Sequence, residues 1–318
     1  GTTNFVFNGT GTWTHTSSGT LQNNVTINTA GIITFGTFIN YNTGTFVYTA
    51  GTVTTTGNTL ASTVSTTFNA SGMAFNNVTF SNPTITLTSD LNLNGTLTIT
   101  NAVVTINGLF NINTRALTMT SASAGTASIV LNGTGTWSGS GAVGNNLTIN
   151  TAGTVTVSGS VNFGASGKTL TYTAGTVVTT GSTLSNSVTC TLNTAGVIWN
   201  NFTTTVQGTI TNNSLLTVSG TLTYASTAVG VTFAGTAGWT CGTFTATFAG
   251  LSHTFTVGNT YTITSAFNIT ASTNASMITL RSSSTPTHAI LTVLPTASQA
   301  VAFTNATDID SSAGQTVY

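Results

Sequence analysis

Asp308 and Asp310 are the carboxylates of this chain that stand close enough in sequence to act together, and Ser312 extends the series of oxygen donors at alternate positions. Oxygen donors spaced this way could hold calcium, and a carboxylate pair could serve a glycoside-cleaving site. The calcium register is imperfect, because Gly314 falls one place late for the required turn and the chain has no Glu. The preferred reading is a turn in which the Asp side chains bond nearby backbone. Asp90, the remaining acid, is alone in its half of the chain, and His15, His253 and His288 are scattered, as expected of loop or surface residues rather than ligands. No Gly-x-Ser-x-Gly elbow is present to present a nucleophilic serine. These counts predict no catalytic residues, no bound metal and no cofactor.

Other motifs have simpler readings. Gly139-Ser-Gly141-Ala-Val-Gly144 spells a dinucleotide fingerprint, but a β segment follows where a helix is required. Gly167-Lys168-Thr169 lacks the first glycine of a phosphate loop, since Asn162 holds that place. Trp13 and Trp137 occupy equivalent places in two copies of one motif; a structural role at a coil corner is expected, with a sugar-stacking platform as the alternative. Cys190 and Cys241 read as two small buried side chains, a disulfide between nearby coils being the other arrangement. Sequons such as Asn24-Val-Thr26, Asn77-Val-Thr79 and Asn146-Leu-Thr148 arise in any chain this rich in Asn and Thr.

The elements that would carry these residues are legible from repetition. Asn8-Gly-Thr-Gly-Thr-Trp13 returns as Asn132-Gly-Thr-Gly-Thr-Trp137, 124 positions later. Tyr48-Thr-Ala-Gly51 returns as Tyr172-Thr-Ala-Gly175 at the same offset, and Asn76-Asn77-Val78 as Asn200-Asn201-Phe202. Asn23-Asn-Val-Thr-Ile-Asn-Thr-Ala-Gly31 returns as Asn145 to Gly153 at an offset of 122, which places a two-residue indel in a loop. Within each copy, short blocks alternating apolar residues with Thr, Asn or Ser recur every ~20 to 24 residues, the beat of a solenoid coil. Strands this short cannot bury an apolar face alone and must stack. The expected fold is therefore all-β, a parallel and right-handed β-helix. Residues 1–250 would form two ~124-residue repeats and residues 251–318 the C-terminal coils or a cap. A string of immunoglobulin-like sandwiches is the competing architecture; the short beat and the missing Cys, Trp, Cys pattern oppose it.

Composition bounds the partners. Of 318 residues, 2% are charged, and three basic against three acidic residues give a formal net charge of +0. Nucleic acid is set aside, because phosphate contacts need clustered Lys and Arg. No apolar run approaches the ~18 residues of a membrane span. Low charge removes self-repulsion, so self-association, or packing against neighbouring segments of a longer chain, is expected; a glycan is the alternative partner. Neither end of the sequence has the look of a natural gene boundary.

The segment Leu251-Ser-His-Thr-Phe-Thr-Val-Gly-Asn-Thr-Tyr-Thr-Ile-Thr264, with Ile278 to Ser284 and Asn305 to Val317, resembles the ends of β-helix repeat regions in very large secreted or surface proteins of environmental bacteria, and similar regions of phage virion fibres. The likeness implies a parallel β-helix and an extracellular location, on a cell surface or virion, with no catalytic residues to carry over. The functional expectation is a non-catalytic structural or adhesive element. A phage tail-fibre protein, or a solenoid that binds carbohydrate on its loops or outward Thr and Asn ladders, or ice on its Thr-x-Thr arrays, is the alternative.

Overall fold

The computed structural model describes residues 3–14, 20–42, 44–81, 83–164, 166–205, 208–227, 230–246, 248, 250–271, 276–315 and 317. Short strands follow one another along the chain, from Asn4–Phe7 to Ile309–Asp310. Their ladders are parallel: Asn4–Phe7 pairs with the start of Asn24–Phe35, which pairs with Gly44–Thr54, which pairs with Thr66–Asn69. The fold is a parallel β-solenoid with coils of about 21 residues. The coil length varies. Hydrogen-bonded partners stand 17 positions apart at Asn111 and Ser128, 23 apart at Leu216 and Trp239, and 32 apart at Ala266 and Ser298.

Two compact units are present, Gly1–Thr156 with Thr173–Val178, and Val157–Tyr172 with Thr179–Tyr318. In the first, period-two alternation turns one column of side chains after another into the lumen. Leu60, Val78, Leu97, Leu117 and Trp137 stack in register on successive rungs, as do Val25, Phe46, Phe68 and Leu87. In the second, Leu184, Phe202, Leu222, Phe244 and Phe267 form one such column, and Leu216, Trp239, Tyr261 and Leu291 another. These side chains are almost entirely buried. Each contributes about 1.5–3 kcal/mol by leaving water, and each inter-rung hydrogen bond about 0.5–1.5 kcal/mol net. From Ser252–Phe255 onward the strands keep the same parallel pairing, so this part of the chain forms further coils.

A recurrent hook sets the vertical register. The second Asn of Asn23-Asn24-Val-Thr26 accepts through Oδ1 the N–H of Thr45 on the next rung at 2.9 Å. Asn77 does the same to Thr96, Asn201 to Thr221, and the Asp90 carboxylate to Asn111, each at 2.9 Å. The carboxamide sits where the next rung passes closest. Gly95 is one such passage, where a Cβ would overlap Asn77 Oδ1 and the Asn76 carbonyl. At Thr96 and Asn111, which open their strands, the first N–H is thus bonded to a side chain instead of being left unpaired.

Candidate functional site

The residues with chemical potential lie apart. Asp308 has a positive φ of 54°, its backbone carbonyl accepts the Ala289 N–H at 3.1 Å, and its Oδ2 accepts the Thr285 hydroxyl at 2.7 Å. Asp310 Oδ1 accepts the Ser312 N–H at 2.9 Å, a local turn of the kind Asp favours. The Ser312 hydroxyl and N–H together hold this exposed carboxyl below its ordinary range. Each carboxylate therefore has its own partner. Among the described residues no three His, Cys, Asp or Glu side chains come together. Asp90 serves the hook described above.

Trp13 and Trp137 face the lumen. Trp13 is stacked on Phe7 with ring centroids 5.3 Å apart and meets Phe35 edge-on at 5.1 Å, while Trp137 is fully buried in register with Leu117. Neither indole presents a ring face to solvent, so the sugar-stacking expectation for Trp13 and Trp137 is corrected. Their equivalence reflects packing. Cys190 and Cys241 are both free and buried, and burial pushes the Cys190 thiol up to about 12 and the Cys241 thiol up as well. A thiol in that range is not the nucleophilic thiolate at neutral pH.

His253 departs from the expectation of a surface histidine. It lies on the strand Ser252–Phe255 and is 2% exposed, its Nδ1 accepts the Val231 N–H at 3.2 Å, and its ring packs 4.7 Å from that of Tyr224. Burial lowers its pKa to about 4. The sequence signal was available: His253 precedes Phe255 by two, the spacing of one strand face. His288 is exposed, and His15 lies outside the described residues.

The strand positions turned to solvent carry mainly hydroxyl and amide side chains, and exposed apolar residues such as Val103, Leu109 and Leu215 lie between the strands. Thr45, Thr67 and Thr86 form one outward column in the first unit, and Thr79, Thr98, Thr118 and Ser138 another. In the second unit Thr217, Thr240, Thr262 and Thr292 align, beside Thr203, Thr223 and Thr245. Thr suits an outward strand position through its β-propensity and its contacts between rungs. Because such columns occur on more than one sheet, no one face is set apart by them. Register shifts between Val218 and Thr221, and between Cys241 and Thr243, interrupt the lattice that an ice-binding face would need.

A groove of about 460 Å³ in the first unit is bounded by Tyr48, Thr52, Thr54, Gly72 and Asn94. Sequence reasoning noted the Tyr48-Thr-Ala-Gly51 motif as a repeat marker without assigning it a surface. The missing information was the register shift in the strand Gly44–Thr54, whose partners pass from Ile27 at Tyr48 to Asn28 at Ala50 and Ile32 at Thr52, and next to which Tyr48 is half-buried where Phe46 is enclosed. No protein-family model, curated protein or solved structure matches this chain.

Proposed function

We propose that the chain is a non-catalytic structural or adhesive element of an extracellular assembly, a segment of a bacterial surface protein or of a phage fibre. The observation that carries this reading is the division between a lumen filled by stacked apolar side chains and an outside whose strand positions are held mainly by Thr, Asn and Ser, with exposed apolar side chains such as Val103, Leu109 and Ile198 scattered over it. Each of the three carboxylates accepts a hydrogen bond, two of them across rungs. Such a body offers mechanical continuity within each unit, because many small inter-rung bonds must be broken together to open it. Its uncharged surface favours contact with further copies or with adjoining segments of a longer chain.

Location and role are tested together. An antibody raised against the purified chain should label the outside of intact cells, or the virions, of the organism that makes it; a signal seen only after permeabilisation would overturn the reading. Proteinase K should leave the native chain largely intact over hours, whereas rapid fragmentation would remove the mechanical argument.

A further inference from the structure

The groove beside Tyr48 has features that the scaffold does not require. Tyr48 is held by its own hydroxyl, which donates to the Gly51 carbonyl at 2.6 Å. Its ring lies against the bare α-carbon of Gly72, where a Cβ would stand 3.3 Å from Cε1. Gly72 has a φ of +93°, a conformation that glycine adopts without strain. The same arrangement recurs in the second copy, with Gly196 placed 3.2 Å from Tyr172 by the same measure. Some buried aromatics are exchanged between the copies, Phe46 for Leu170 and Phe68 for Leu192, whereas this half-buried tyrosine is kept, as is the buried pair Trp13 and Trp137.

Around the ring, Thr52 and Thr54 are exposed, and neither they nor Asn94 make a side-chain hydrogen bond within the described residues. Among the described residues no charged side chain lines the groove. An anion or a cation would find no counter-charge here, and an apolar ligand would leave these hydroxyls and the amide unsatisfied. A pinned aromatic ring beside unengaged hydroxyl and carboxamide groups matches a pyranose, which offers C–H faces to a ring and hydroxyls at its rim. The volume lies in the usual range of small-molecule sites.

We propose that this groove binds a neutral saccharide. The second copy of the sequence lacks the hydroxyl of Thr54. Where the first copy has Thr54 and Ala74, it has Val178 and Ile198, 38% and 57% exposed. Binding is therefore expected at one site per chain. This inference deepens the adhesive side of the function proposed above. Its test is separable, since a chain that binds no sugar can still be displayed outside the cell and resist proteinase K.

The experiment is calorimetric titration of the whole chain with four neutral hexasaccharides (cellohexaose, maltohexaose, mannohexaose and chitohexaose) and with hexagalacturonate as the charged comparator. One or more of the neutral oligomers should bind at a stoichiometry of one, with hexagalacturonate at least tenfold weaker. Asn94→Ala and Thr54→Val should each weaken that binding at least tenfold without moving the thermal unfolding midpoint. Absence of binding by all four neutral oligomers at millimolar concentration would overturn the proposal. So would affinity unchanged in both variants, or equal affinity for hexagalacturonate.

Discussion

The two copies of the long repeat keep their corners and exchange part of their cores. At the outer corner Thr29 and Thr151 each accept through Oγ1 the N–H of the glycine two residues on, at 2.8 and 2.9 Å, and Gly51 and Gly175 share φ values of +119° and +112°. Inside, Phe46 faces Leu170 in the alignment, Phe68 faces Leu192, Phe75 faces Trp199, and Val78 faces Phe202. All eight are buried. The corner positions carry backbone geometry that few residues can adopt: at Gly51 a Cβ would meet Thr29 Cγ2 at 2.7 Å in addition to the positive φ. The lumen asks only for apolar volume that fills the rung, which different sets of side chains can supply.

The largest expected effect tests that equivalence directly. Phe75 packs against Phe46 at 5.3 Å and Phe68 at 6.1 Å, and Trp199 is as completely enclosed in its own copy. Phe75→Ala and Trp199→Ala should each destabilise the surrounding coils by about 3–5 kcal/mol, read by hydrogen exchange of the adjacent rungs. A loss below about 1 kcal/mol at either position would mean that the rung collapses onto the vacated space, and the copies would then differ in rigidity as well as in composition.

Acid should separate the two units next. His253, in the second unit, is packed by Tyr224 from one strand and aligned with Leu280 on the next, with the Val231 N–H pointing at its Nδ1. Cys241 and Tyr261 are the other titratable groups around Tyr224, and both are neutral in this range. The native pKa, about 4, lies below the ordinary imidazole value of about 6.5 because burial disfavours the charged ring. Protons therefore bind the unfolded chain more readily. The stability His253 confers is complete above about pH 6.5 and is lost as pH falls toward 4, by about 3 kcal/mol in all. Coils near residue 253 should show accelerated exchange at pH 4.5 while those of the first copy do not, and His253→Leu should abolish the difference. Equal acid sensitivity in both units would place its origin elsewhere.

This contrast also marks what could be read from the sequence. Alternation in Leu97-Thr-Ile99 or Val78-Thr-Phe80 specifies which side chains enter the lumen, because neighbouring side chains on a strand face opposite ways. The offset of 124 identifies equivalent corners, and the short beat fixes parallel stacking. Trp13 and Trp137 were harder to read, since a three-residue strand such as Gly11–Trp13 is too short for alternation to say which face is inside. The Asn hooks were invisible for another reason. Asn24 and Thr45 are 21 positions apart, and only the coil length of that turn brings them together. The groove beside Tyr48 depends likewise on three successive rungs, whose relative register no local pattern encodes.

A smaller effect tests whether lumen volume is conserved rung by rung. Phe68→Leu, which installs the second copy's residue in the first copy's surroundings, should cost about 1–3 kcal/mol by leaving a gap between Phe46 and Phe80. Making the set Phe46→Leu, Phe68→Leu, Phe75→Trp and Val78→Phe together should recover most of that loss, because the four side chains share contacts and their effects are coupled. If the four losses simply add, the surrounding backbone of each copy has been shaped to its own residues, and the interchangeability argued from the alignment fails.

The smallest effect runs in the opposite direction and concerns a polar group. Asn58 is 1% exposed, and neither its Oδ1 nor its Nδ2 finds a partner among the described residues. The second copy has Ser182 there, whose hydroxyl donates to the Thr179 carbonyl at 2.6 Å across the same turn. The flanking residues Thr55 and Thr179 are used alike, donating to Ala74 and Ile198 carbonyls on the following rung. The turn is therefore the same in both copies and only the buried amide differs. Asn58→Ser should raise stability by about 1 kcal/mol, since a buried amide without partners is replaced by a hydroxyl with one. Measured by chemical denaturation, a decrease instead would show that the Asn58 amide is satisfied by enclosed water, and the two corners would then be alike in backbone but not in solvation.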